Sequence, residues 1–191
     1  LDGFVVKNLE ELEFLREHSC KREFIFDYTM YGFNSYAKEQ FKEFGINYDT
    51  LPVELNAREL TALPTENSEL VVYGYLPMMV TAQCLHKTIS GCDKKEVSLK
   101  IKDRLKNEFS VKNYCMLCYN RIYNFKPLSL LTVKEQVDKI APKSIRLDFT
   151  LESVEEVDLI ARKFVQAYKY NNQHLEELSD FTRGHLKRGV E

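Results

Sequence analysis

Four of the five cysteines, Cys84, Cys92, Cys115 and Cys118, stand in a C-x7-C-x22-C-x2-C arrangement. Two thiolates two residues apart lie on one turn and can bind one ion, and four soft sulfur ligands suit Zn2+ or an iron–sulfur cluster. The plainer alternative makes Cys84 and Cys92 small buried residues, and gives a role to the C-x-x-C pair alone or to none of the four. Cys20, close to His18, is a lone thiol, for which a structural reading is favoured.

A second group of candidates sits where apolar runs end. Asp27 with Tyr28, Glu54 with Asn56, and Asp148 with Thr150 fall at the carboxyl ends of predicted strands, the edge at which parallel α/β folds bind ligands. Asn56 and Thr150 equally suit helix caps. Asp27 and Glu54 each close an apolar strand with no evident cap geometry. Strand alternation puts Arg146 and Asp148 on one face, to anchor an anion or each other. Neither H-E-x-x-H nor G-x-S-x-G occurs, and His86 and His185 cannot be matched to a nucleophile from sequence.

The elements that must carry these residues alternate. LDGFVVKN reads as a strand, followed by LEELEFLREH with leucines at helical spacing behind Asn8 and Glu11. EFIFDYT then leads into NSYAKEQFKEFG, capped by Asn34 or Ser35 and ended by Gly45. TLPVEL precedes the short helix NARELTAL, and ELVVYGY is a near-continuous apolar run. Strands buried on both faces and alternating with helices describe a parallel α/β sheet or part of a (β/α) barrel.

From residue 84 to about 131 the alternation stops. VSLKIKDRLKNEFSV resembles an antiparallel hairpin turning at residues 103–107, so this stretch is expected to be an insertion with its own small structure. Alternation resumes with TVKEQVDKI, which Thr132 and Glu135 are expected to cap, with the strand SIRLDFT, and with a long helix from Ser153. The apolar stripe Val154, Val157, Ala161, Phe164, Val165 and Tyr168 is expected to cover the sheet. The last 21 residues lack a clean period and are expected to form a loop.

With 191 residues, 44% of them hydrophobic, the chain can bury one sizeable core as a single domain. Its 27 basic and 29 acidic side chains provide no global field for polyanions, although a local patch remains compatible with them. The longest apolar runs fall short of the roughly 20 residues a membrane helix needs. An odd cysteine count with no secretion signal favours metal or redox use in the cytoplasm, and the opening at Leu1 without an initiator Met suggests a piece of a longer protein.

ELVVYGYLPMMVTAQC (residues 69–84) resembles the signature region of the peptidase U32, or collagenase-like protease, family. PVELNAREL, FDYTMYGFNSYA, IRLDFT and FTRGHLKRGVE resemble further blocks of that family, so the likeness spans nearly the whole chain as the C-terminal part of the conserved domain. It implies a TIM-barrel-like domain of which this chain supplies the later strands, and a 4Fe-4S cluster held by Cys84, Cys92, Cys115 and Cys118. One departure is that YGYLPMM lacks the extra cysteine and small residues of many collagenase-like members. Better-understood relatives assist oxygen-independent hydroxylation of tRNA, ribosomal RNA or a quinone precursor.

Two function classes follow. In the first, an enzyme acts on a peptide or an RNA base through the cysteine centre and Asp27, Glu54, Arg146 and Asp148. Arg183, His185 and Arg188 would then contact an anionic substrate. In the second, the cysteines bind Zn2+ to staple the insertion of a non-catalytic interaction domain. The expected partners are the N-terminal part of the same domain and, through exposed strand edges, a second copy of the fragment; no membrane is expected.

Overall fold

The computed structural model describes residues 2–172 and 174–188; Leu1, at the head of the first expected strand, and the last three residues of the FTRGHLKRGVE block lie outside them. In chain order the elements are β1 (Gly3–Val6), α1 (Leu9–Glu17), β2 (Glu23–Phe26), α2 (Ser35–Glu43), β3 (Asp49–Thr50), α3 (Ala57–Thr61) and β4 (Ser68–Gly74). Next come β5 (Pro77–Thr81), α4 (Leu85–Ser90), β6 (Ser98–Lys102), β7 (Glu108–Tyr114) and β8 (Tyr119–Tyr123). The chain then forms β9 (Leu128–Ser129), α5 (Lys134–Ile140), β10 (Ser144–Asp148) and α6 (Val154–Tyr168).

Strands β1, β2, β3, β4 and β10 pair in that order, every pair parallel, in a curled half-barrel sheet. The expected α/β class is therefore present. The TLPVEL run is a strand only at its first residue, because β3 ends at Thr50 and the chain turns from Val53. All seven residues of β4 are buried, as expected of a strand covered on both sides. Leu70, Val72, Tyr73, Leu130, Val137, Ile160 and Phe164 pack into the larger core, so α6 covers the sheet, but through Ile160, Phe164 and Ala167. Of the expected stripe, Val154 and Val165 face solvent, because the buried face is centred one position away from it. A second cluster of Val6, Leu12, Phe26, Phe41 and Ile46 fastens α1 and α2.

The local signals explain most helix starts. Asn8 and Asn34 accept the backbone N–H groups of Glu11 and Ala37, and Asn56–Glu59 and Ser153–Glu156 form reciprocal capping boxes. Asn56 is therefore a cap, whereas Thr150 caps nothing and its hydroxyl is buried without a hydrogen-bond partner. The expected Thr132 cap of α5 does not form. Val133 occupies that position with no side-chain bond, because the Thr132 hydroxyl donates to Glu177 and accepts from Arg183.

Strands β5, β8, β7 and β6 form a separate antiparallel sheet in that order. The β6–β7 hairpin turns at Asp103–Asn107 as expected, with the Asp103 carboxylate accepting the N–H groups of Leu105 and Asn107. The sheet begins at β5, earlier than the expected start of the insertion at residue 84. Only two residues separate it from β4, and β9 returns antiparallel to β4 with Gly74 opposite Leu128. Gly74 has φ +152°, and a Cβ there would lie 2.6 Å from the Asp148 carbonyl oxygen, so β4 and β10 approach closely only because residue 74 has no side chain.

Candidate functional site

The four cysteines arrive from two places. Cys84 caps α4, with its sulfur 3.5 Å from the Lys87 N–H, and Cys92 follows Gly91, the residue at which that helix ends. Cys115 and Cys118 flank the 3-10 turn joining β7 to β8, and Cys118 adopts a left-handed conformation at φ 54°. All four line one cavity of about 410 Å3 together with Lys87, Thr88, Asn113, Tyr114 and Tyr119. Burial, and then the neighbouring Cys92, Cys118 and Cys84, push the Cys115 thiol upward. Four thiolates cannot share this space without a cation to offset their repulsion.

As they stand, no group of three or more His, Cys, Asp or Glu side chains among the described residues is set at metal-ligand spacing, and all five cysteines are free thiols. Four thiols are a donor set that suits either a zinc ion or a 4Fe-4S cluster. His86 bonds Asp93 at 3.0 Å, joining α4 to the loop beyond Cys92. Cys20, half-buried, takes no part in the cavity.

Arg146, in the middle of β10, gathers three carboxylates, Asp27 and Asp148 from the carboxyl ends of β2 and β10 and Glu69 from the start of β4. Its guanidinium donates to Asp27 at 2.7 Å and Glu69 at 2.8 Å, and lies 3.7 Å from Asp148. It also reaches the Thr50 hydroxyl at 3.2 Å and lies 5.7 Å over the Tyr28 ring. Burial opposes its charge, yet Asp27, Glu69 and Asp148 hold it above the usual arginine range. Burial, then the charges of Asp27 and Asp148, push the Tyr28 phenol well above the tyrosine range. Arg146 and Asp148 therefore face each other, with Asp27 and Glu69 as the closer partners. Glu54 is not among them; its Oε2 is buried on the turn after β3 with no hydrogen-bond partner.

The antiparallel sheet carries a row of aromatic and basic side chains beside the thiol cavity. Tyr114 and Tyr119, which wall the thiol cavity, stack at 4.7 Å and 14°. The Tyr114 hydroxyl lies 3.2 Å from that of Tyr123, and the Arg121 guanidinium lies 5.4 Å over the Tyr114 ring. The Arg121 charge in turn acts on Tyr28, beside Arg146. Sequence reading missed Glu69 and Arg121. Glu69 leaves one trace, a charge at the head of an otherwise apolar run, whereas nothing local marks Arg121 among the basic residues of its segment.

Arg183 lies in a different environment. It donates to the Ser129 carbonyl at 2.6 Å and the Thr132 hydroxyl at 2.7 Å, pairs with Glu177 at 2.8 Å, and stacks on Phe181 at 4.5 Å. This contact set fastens the C-terminal segment to β9. His185 and Arg188 are exposed on the following turn.

No protein-family model matches the chain, and no curated protein or solved structure matches it. Among the described residues no helix is long and apolar enough to cross a membrane.

Proposed function

We propose that this chain is a peptidase U32-type domain in which Cys84, Cys92, Cys115 and Cys118 hold one 4Fe-4S cluster beside a strand-end site containing Asp27, Arg146 and Asp148, with Glu69 as a further partner of Arg146. The observation that carries the reading is the convergence of four thiols from separate segments on one cavity. In this reading the curled parallel sheet is part of a TIM-barrel-like domain, and the free thiols belong in the reducing cytoplasm.

Of the two substrate classes, an RNA base is favoured over a peptide. Residues 84–123 carry nine Lys and Arg against four Asp and Glu, while the rest of the chain carries 18 against 25. The antiparallel module is thus the basic part of an otherwise acidic protein, which suits a phosphate backbone. When bound, the cluster would supply redox chemistry. Asp27, Arg146 and Asp148 would orient the reacting group.

Anaerobically purified protein should be brown, with broad absorption near about 400 nm and iron and sulfide in equal amounts. Cys115→Ser or Cys118→Ser should lose the metal. Colourless protein with one zinc per chain would replace this reading with a zinc staple, and metal content unchanged in both variants would refute the four-ligand assignment. Deleting the gene and assaying for a missing RNA hydroxylation, beside casein and collagen digestion by the protein, separates the two substrate classes.

A further inference from the structure

Among the described residues, the arginines that form ion pairs are Arg16, Arg146, Arg162 and Arg183, and the lysines are Lys38, Lys100, Lys102, Lys126 and Lys134. Lys112 and Arg121 are in neither set. They stand directly opposite each other on β7 and β8, so their side chains rise from the same face as neighbours. Like charges placed opposite each other across a sheet are destabilising unless something neutralises them. Instead of a carboxylate, both have the same phenol. Lys112 Nζ lies 5.6 Å and the Arg121 guanidinium 5.4 Å from the Tyr114 ring centre. Arg121 Nε is buried and has no hydrogen-bond partner, a donor that is costly to leave unmatched.

The surroundings suit an oxyanion. Tyr123 and Tyr114 place hydroxyl groups beside the guanidinium, and burial together with Tyr114 pushes the Tyr123 phenol up to about 12, so it remains a neutral donor at physiological pH. Val80, opposite Arg121 on the other neighbouring strand, is 60% exposed, which leaves the row open to solvent at β5. Tyr114 borders the thiol cavity, and Arg121 acts on Tyr28 beside the strand-end cluster. At that cluster Arg146 is already neutralised by three carboxylates, whereas Lys112 and Arg121 have no carboxylate partner.

We propose that Lys112 and Arg121 form an oxyanion-binding subsite that takes a carboxylate or phosphate group of a ligand lying between the thiol cavity and the strand ends. This deepens the proposed function by assigning a substrate contact, but its test needs no metal and no activity. Its failure is therefore distinguishable from failure of the cluster reading.

The test is titration of the full chain with inorganic phosphate and, separately, with malonate, followed by calorimetry and thermal unfolding in an otherwise anion-poor buffer. One or both should bind the unaltered protein and raise its melting temperature; which one does so tells phosphate from carboxylate recognition. Arg121→Gln should weaken binding about tenfold or more, the order expected for losing a charged hydrogen-bonding partner. Lys112→Gln should weaken it as well, while Lys100→Gln, on the exposed β6, should not. Without added anion, Lys112→Gln should melt no lower than the unaltered protein, because a repulsion has been removed. No binding of either anion, or equal weakening in all three variants, would overturn the subsite. If Arg121→Gln failed to fold, the outcome for Lys112→Gln would decide.

Discussion

Arg146 shows how one side chain sets the character of a site. Its guanidinium is 18% exposed and serves Asp27 and Glu69, whose side chains are 2% and 12% exposed. Replacing it with Met should leave two nearly buried carboxylates without a counter-charge. We expect a loss of about 3–5 kcal/mol, read as a lower urea midpoint, with part of it recovered by combining Arg146→Met with Asp27→Asn. If Arg146→Met were as stable as the unaltered protein, the cluster would not be an interdependent unit. Strand alternation already put Arg146 and Asp148 on one face. Asp27 and Glu69 could not be joined to them from sequence, since Asp27 lies 119 positions from Arg146 and only the parallel pairing of separate strands unites them. The thiols differ, because the spacing of Cys115 and Cys118 announced a shared turn that the structure contains.

Among the elements, the C-terminal segment is where local pattern informed least. It carries no period, yet Thr182 bridges Leu128 and Glu177 binds Ser129, Thr132 and Arg183. These partners are non-local polar groups that hydrophobic periodicity does not register. The same contacts account for the missing Thr132 cap. Glu177 is largely buried, and although burial alone would raise its carboxyl, the Leu178 N–H, the Ser129 and Thr132 hydroxyls and Arg183 hold it below the ordinary 4.5. A carboxyl depressed in the folded state contributes stability that is fully present above its unfolded value and is lost as pH falls through the folded one. The segment should therefore loosen as pH falls below the ordinary carboxylate range. Hydrogen exchange at residues 175–183 should rise in that window, and Glu177→Gln should exchange at an elevated rate that no longer changes across it.

At the scale of the molecule, the alternation of apolar runs and helices conveyed a parallel α/β sheet and an antiparallel insertion, because both periods are written in side-chain hydropathy. Strand order, the curl of the sheet and the early start of the second sheet at β5 depend on long-range pairing and were not legible. The parallel sheet ends at β1 on one side and β10 on the other, and Val5, Leu9 and Phe14 near β1 are 45%, 48% and 60% exposed. Unpaired edges with apolar neighbours favour association. We therefore expect a concentration-dependent dimer in light scattering, which Phe14→Glu should weaken; a monomer at all concentrations would argue against it.

The pairing of Gly74 with Leu128 makes the basic sheet a detachable cassette, since its two points of attachment lie directly across from each other on adjacent strands. A two-residue Asn-Gly turn in place of residues 76–126 would convert β4 and β9 into an ordinary hairpin and leave the parallel layer intact. Such a shortened chain should keep its helical circular dichroism and lose all four thiols of the cavity, and its failure to fold would mean that the cassette supports the layer beneath it. Architecture and reactivity would then be inherited separately, one from the sheet and the other from a part grafted onto a single rung of it.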